Sequence, residues 1–192
     1  KAALGGTFAV LVTGNSAKAL VGKNAVIISS NGSVSITADN KETLVSILAS
    51  ASGSTGGTTV AGTLNVQITR SAAQASVGDG ATVTAYKDVT VQATSDTFML
   101  SIVAALTGSG GGAAIGATIN VAVFSRNVLA SVGSGCHLTA TTGDIVVRTL
   151  AEDWLLTLTA AGAASSSSTA VSGSIPVVVG SSTVQALVGQ SS

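Results

Sequence analysis

Four stretches decide the reading: AKALVGKNAVI (17 to 27), AQASVGDGATV (73 to 83), VLASVGSGCHL (128 to 138) and VQALVGQSS (184 to 192). Each carries Val-Gly at the same place, at Gly22, Gly78, Gly133 and Gly189, so the spacings are 56, 55 and 56 residues. A fixed period changes the meaning of every local pattern, because each copy must then be one structural unit. A second alignment agrees. GTFAVLV (6 to 12), GTLNVQIT (62 to 69), ATINVAVF (117 to 124) and GSIPVVVG (173 to 180) place Val10, Val66, Val121 and Val177 in one column. A third aligns Val45, Leu100 and Leu156, then Ile47, Ile102 and Leu158. The chain divides into 1–22 as the end of one repeat, 23–78, 79–133 and 134–189 as three full repeats, and 190–192 as the start of another. It reads as a section cut from a longer array.

Within each copy the apolar period is two, as in VSITA (34 to 38), DVTVQA (88 to 93) and DIVVRT (144 to 149), which is the signature of strands. Breaks at Ser30-Asn31-Gly32, Gly78-Asp79-Gly80 and Gly133-Ser134-Gly135 are expected to supply turns where positive φ is needed, and Gly22, Gly78, Gly133 and Gly189 are assigned as structural turn glycines. Ser/Thr/Gly loops at 52 to 57, 107 to 112 and 162 to 169 separate the longer strands. A β-rich unit in tandem predicts an all-β fold of stacked coils, a β-helix-like solenoid with a repeat of about 56 residues. With two or three coils in each repeat, it would be a rod on the order of 30 to 50 Å long. A β-sandwich is the structural alternative, but it does not call for three aligned copies.

Of 192 residues 8% are charged, eight basic against eight acidic, and 46% are hydrophobic. The apolar content excludes disorder. Zero net charge with no basic cluster gives no reason to bind nucleic acid. One cysteine excludes an intrachain disulfide framework. No charge falls at 43 to 69, 97 to 125 or 154 to 192, yet period-two alternation and glycine runs in these stretches argue against membrane-spanning helices, so no membrane span is expected. No targeting segment is visible at Lys1.

In these uncharged stretches Leu44, Met99 and Leu155 have the opposite parity to Val45, Leu100 and Leu156, which are taken as the core column. The second face then needs a cover: another part of the coil, a neighbouring rod or a partner protein. Leu44, Leu48, Phe98, Met99, Val103, Trp154 and Leu155 are the candidate subunit contacts, and the expected partners are further copies, the rest of a longer solenoid, or a cell-surface receptor or glycan.

A chemical site does not assemble. His137 follows Cys136, and neighbours on a strand face opposite ways, so the two cannot share a metal ion. Asp39, Asp88, Asp96, Asp144, Glu152 and Asp153 fall near turns or repeat edges as solvated charges, with Lys41-Glu42 beside Asp96 and Glu152-Asp153 the closest approach to an acidic cleft. GSGGGAAIG (108 to 116) lacks the Lys-Ser/Thr and the helix of a phosphate loop. Thr82 and Thr84 do not form the strict ladder of an ice-binding face. No catalytic residue, cofactor or metal is assigned, and a non-enzymatic protein is expected. A carbohydrate-binding or carbohydrate-cleaving β-helix is the alternative, an ice-binding solenoid the lesser one.

The unit Ala75-Ser76-Val77-Gly78-Asp79-Gly80-Ala81-Thr82-Val83-Thr84-Ala85, then Asp88-Val89-Thr90-Val91-Gln92-Ala93 and later Asn120-Val121-Ala122-Val123, resembles the β-strand repeats of very large secreted bacterial surface proteins: filamentous adhesins, haemagglutinin-like and leukotoxin-like exoproteins. The resemblance covers essentially the whole chain. It implies an extracellular, right-handed β-solenoid shaft or filament subunit in adhesion, cell-cell contact or surface coating, with no catalytic residues to carry over. Pro176 departs from the Asn65 and Asn120 column and cannot donate a ladder hydrogen bond, which puts the register near 175 to 180 in question.

Overall fold

The computed structural model describes residues 1 to 190; Ser191 and Ser192, and with them most of the expected next repeat, lie outside the described residues. The fold is an all-β solenoid. Its strands are β1 (Ala3–Val21), β2 (Val26–Ser29), β3 (Val34–Ser54), β4 (Thr59–Val77), β5 (Thr82–Ala85), β6 (Val89–Ser109), β7 (Ala114–Val132), β8 (His137–Ala140), β9 (Ile145–Ser165) and β10 (Ala170–Val188). They form three parallel sheets, β1-β4-β7-β10, β2-β5-β8 and β3-β6-β9.

Each circuit of the chain therefore uses one strand from each sheet, so each repeat makes one coil rather than two or three. Residue pairs such as Val21↔Val77, Val77↔Val132 and Val132↔Val188 stand in register down the first sheet. The rod becomes a slab. Four strands about 4.8 Å apart stack to roughly 15–20 Å, while a 21-residue strand at about 3.3 Å per residue is roughly 70 Å long. Two long sheets face one another, closed at one end by the short third sheet and at the other by the tip turns that link β3 to β4, β6 to β7 and β9 to β10. Pro176 pairs with Asn120 without any slip in register, because β10 is an edge strand and its missing N–H need face no further partner.

Three glycines of the Val-Gly column, Gly78, Gly133 and Gly189, are needed for a reason other than φ. Positive φ occurs at Asn24, Gly80 and Gly135, two residues later. At Gly78 a Cβ would lie 2.8 Å from Lys23 N and 2.9 Å from Gly22 C, and at Gly133 it would lie 2.6 Å from Asp79 N. The preceding coil passes directly against these positions, and only glycine lets the two backbones meet.

The main apolar core lies beside the short sheet, where Ile36, Ala38, Ala73, Ala75, Val77, Val83, Val91, Val128 and their neighbours point inward. Parity follows from here. β3 runs as one strand from Val34 to Ser54, so the inward set that starts at Ile36 and Ala38 continues through Asn40 and Glu42 to Leu44. The assignment of Val45, Leu100 and Leu156 to the core is thereby reversed. Val45 is 54% exposed and Leu156 37%, whereas Leu44 is 6% and Met99 1% exposed.

Candidate functional site

Of the seven candidate contact residues, Leu44, Leu48, Met99 and Val103 are buried by the chain's own opposite sheet, and they are not an external strip. Leu44, Met99 and Ala122 form a small internal cluster, with Leu155 partly buried against it. The cause is the parity carried from Ile36. Phe98 and Trp154, one residue out of phase with that set, do face outward.

These two rings stack in parallel, 4.5 Å between centroids and 4° between planes, because in-register pairing of β6 and β9 sets Phe98 beside Trp154. They border a groove of about 390 Å³ whose outer charged residues are Lys41, Asp96 and Glu152. Lys41 Nζ lies 3.9 Å from Asp96 Oδ2, a loose and exposed pair. Asp96 and Glu152 are register partners, so two carboxylates stand side by side next to the aromatic pair. The arrangement offers an aromatic face and hydrogen-bond acceptors.

A polar interior was not foreseen. Between the two long sheets, Asn65 Nδ2 donates to Ser101 Oγ (3.0 Å) and Asn120 Oδ1 (3.1 Å), and Asn120 Nδ2 donates to Ser101 Oγ (2.7 Å). Asn40 donates to Ser71, whose hydroxyl meets that of Ser95 at 2.8 Å. Nearby, Arg126 Nη1 reaches Asp153 Oδ1 at 2.6 Å with side chains only 8% and 17% exposed, and Arg126 Nη2 donates to Ser182 Oγ at 3.0 Å. Sequence could have flagged this pair: Arg126 replaces Ser71 in its column and Asp153 replaces Thr97, a coupled change in one coil. Both carboxylate oxygens of buried Glu42 and both amide atoms of Gln67 have no protein hydrogen-bond partner.

The remaining candidates separate as their parity dictates. His137 is exposed, while Cys136 is half-buried with Sγ 3.1 Å from Gly78 O, so the two diverge. Among the described residues no group of three or more His, Cys, Asp or Glu is placed to hold a metal ion. Gly110 to Gly112 form a tip turn, pressed against the Thr55 to Thr58 turn of the coil before. Asp79 bridges coils instead of serving a site: it pairs with Lys23 at 3.0 Å and accepts from Ser134 N at 3.1 Å. The Lys23 hydrogen bond first, then the Ser134 amide and the Lys23 charge, hold its carboxyl below the ordinary value.

Comparison with family models, with curated proteins and with solved structures returns no match to this chain.

Proposed function

We propose that the chain is a structural β-solenoid, a section of shaft or a subunit of a secreted bacterial surface adhesin or self-assembling filament, acting in adhesion, cell-cell contact or surface coating. The observation that carries this reading is the in-register continuation of all three strand rows through every coil. Main-chain hydrogen bonding of this kind extends indefinitely, and repetition is what a shaft requires. The outer strands β1 and β10 each have one sheet neighbour, leaving an edge that accepts a further coil. Electron microscopy of the purified protein tests the proposal, with filaments or stacks growing along the coil axis expected. Release of reducing ends from polysaccharides by the purified chain would overturn it in favour of an enzyme.

A second reading, a glycan-binding module, is favoured by the Phe98–Trp154 stack beside Asp96 and Glu152, since a flat aromatic face flanked by acceptors suits a pyranose ring. Quenching or enhancement of Trp154 fluorescence by oligosaccharides, absent in Glu152→Ala, would support it.

A further inference from the structure

Past the Phe98–Trp154 pair, toward the tip turns, the polarity of the slab inverts. Its outer faces are apolar, from Val45 to Gly53 on β3 and from Leu4 to Val12 on β1 with their register equivalents. Ile47 is 67% exposed and Phe8 68%. The inner faces at the same height carry Ser46, Asn65, Ser101 and Asn120, bonded to one another, beside Leu48 and Val103. Soluble two-sheet proteins have the opposite arrangement. Apolar outside with hydrogen-bonded polar groups inside is the distribution of strands that sit in lipid.

Length agrees with that distribution. Nine residues from Val45 to Gly53, and nine from Leu4 to Val12, each span about 30 Å, the thickness of a bilayer's hydrocarbon core. Neither inner nor outer face of this band carries a charge. Charge resumes at one height on the inner strands of both sheets: Arg70 follows the band on β4 and Lys41 precedes it on β3, and the Asn40–Ser71 hydrogen bond brings these two levels together across the interior, while β10 carries no charge. The aromatic pair lies at this border, where interfacial rings belong. Beyond the other end come only Ser/Thr/Gly/Ala turns and Lys1, whose carbonyl accepts from Ser54.

We propose that this charge-free end of the slab is a lipid-embedding wedge, with the hydrocarbon interior of a bilayer as its partner. A second copy packed face to face would cover one outer face, whereas lipid covers both faces, and only lipid calls for an aromatic and charged border at one common height. No helix of the described residues is long and apolar enough to cross a membrane, and the wedge enters as strands. Unpaired edge groups are costly in hydrocarbon, so it enters as an array of stacks joined edge to edge. This inference does not depend on the shaft reading.

Flotation with uncharged phosphatidylcholine vesicles tests it, read together with the fluorescence of Trp154, the only tryptophan. The protein is expected to float with the vesicles, with blue-shifted emission quenched more by bromines near the headgroups than by bromines at the bilayer centre. Ala104→Lys and Leu64→Lys, outward in mid-band, should each reduce the bound fraction about thirtyfold or more, the penalty of a lysine at mid-depth. Gln92→Lys, outward on β6 but beyond the border, should leave it unchanged. Failure of the native chain to float, as a monomer or as a face-to-face assembly that hides the band, overturns the proposal. So does equal binding by the two mid-band lysine variants with native strand content.

Discussion

Arg126 is buried and its ion pair with Asp153 is part-buried, their register neighbours are neutral, and that difference makes a direct test at the residue scale. Removing one partner leaves a buried charge without its counter-ion. Asp153→Thr should therefore cost about 3–5 kcal/mol in denaturant unfolding. Arg126→Ser combined with Asp153→Thr recreates the Ser71 and Thr97 arrangement of the previous coil and should recover most of that loss, which a double-mutant cycle measures. Gln67 makes the converse case. Its amide is buried without a partner, one register step from Ala122 of the internal apolar cluster, so Gln67→Leu should raise stability by about 1–3 kcal/mol. A lower unfolding midpoint in that variant would mean that the amide finds partners in solution. Asp79 sets a pH dependence of known sign. Its folded pKa lies below the ordinary 3.8, so its contribution is present above that value and is lost as pH falls through the folded value. Asp79→Asn should flatten the acid limb of a stability profile below about pH 4, modestly, because the group is exposed to solvent.

At the scale of the element, the Val-Gly column shows which part of the fold was legible. Recurrence of Gly22, Gly78, Gly133 and Gly189 revealed the period and the register, and two of the breaks read there hold the expected positive φ, at Gly80 and Gly135; the coil-to-coil approach that requires glycine at 78, 133 and 189 was not legible. Gly22 has nothing within 4 Å of a would-be Cβ, while Gly78 meets backbone at 2.8 Å. Gly78→Ala should accordingly destabilise by about 1–3 kcal/mol, and Gly22→Ala by much less, in the same unfolding assay. The long strands were harder to read. Strands usually run about 5–6 residues, so a repeat of this length suggested several coils. Here β3 continues for 21 residues as its inward side changes from Ile36 and Ala38 to Asn40 and Glu42 and then to Leu44, Ser46 and Leu48. Apolar residues move to the outer face at Val45 without any change in backbone parity. A core assignment based on hydrophobicity alone takes the wrong face there, though counting in twos from Ile36 recovers the right one. Phe98 and Trp154 were legible as a column because aromatic residues are scarce; their stacking needed the sheet.

The whole molecule is a slab with two regimes, an ordinary apolar core beside the short sheet and a polar interior clothed in apolar side chains toward the tip. Repetition of the regimes coil by coil is what both the shaft reading and the lipid wedge rest upon, and both require that each repeat close one coil directly upon the last. Spin labels at positions 92 and 148 test this most directly, since Gln92 and Arg148 are register partners on neighbouring strands, joined at 2.8 Å. One-coil stacking places their backbones about 5 Å apart and predicts strong dipolar broadening of the continuous-wave spectrum. Sharp, unbroadened lines from a folded, doubly labelled chain would contradict it, and would mean either more than one coil in each repeat or repeats folded as separate sheets.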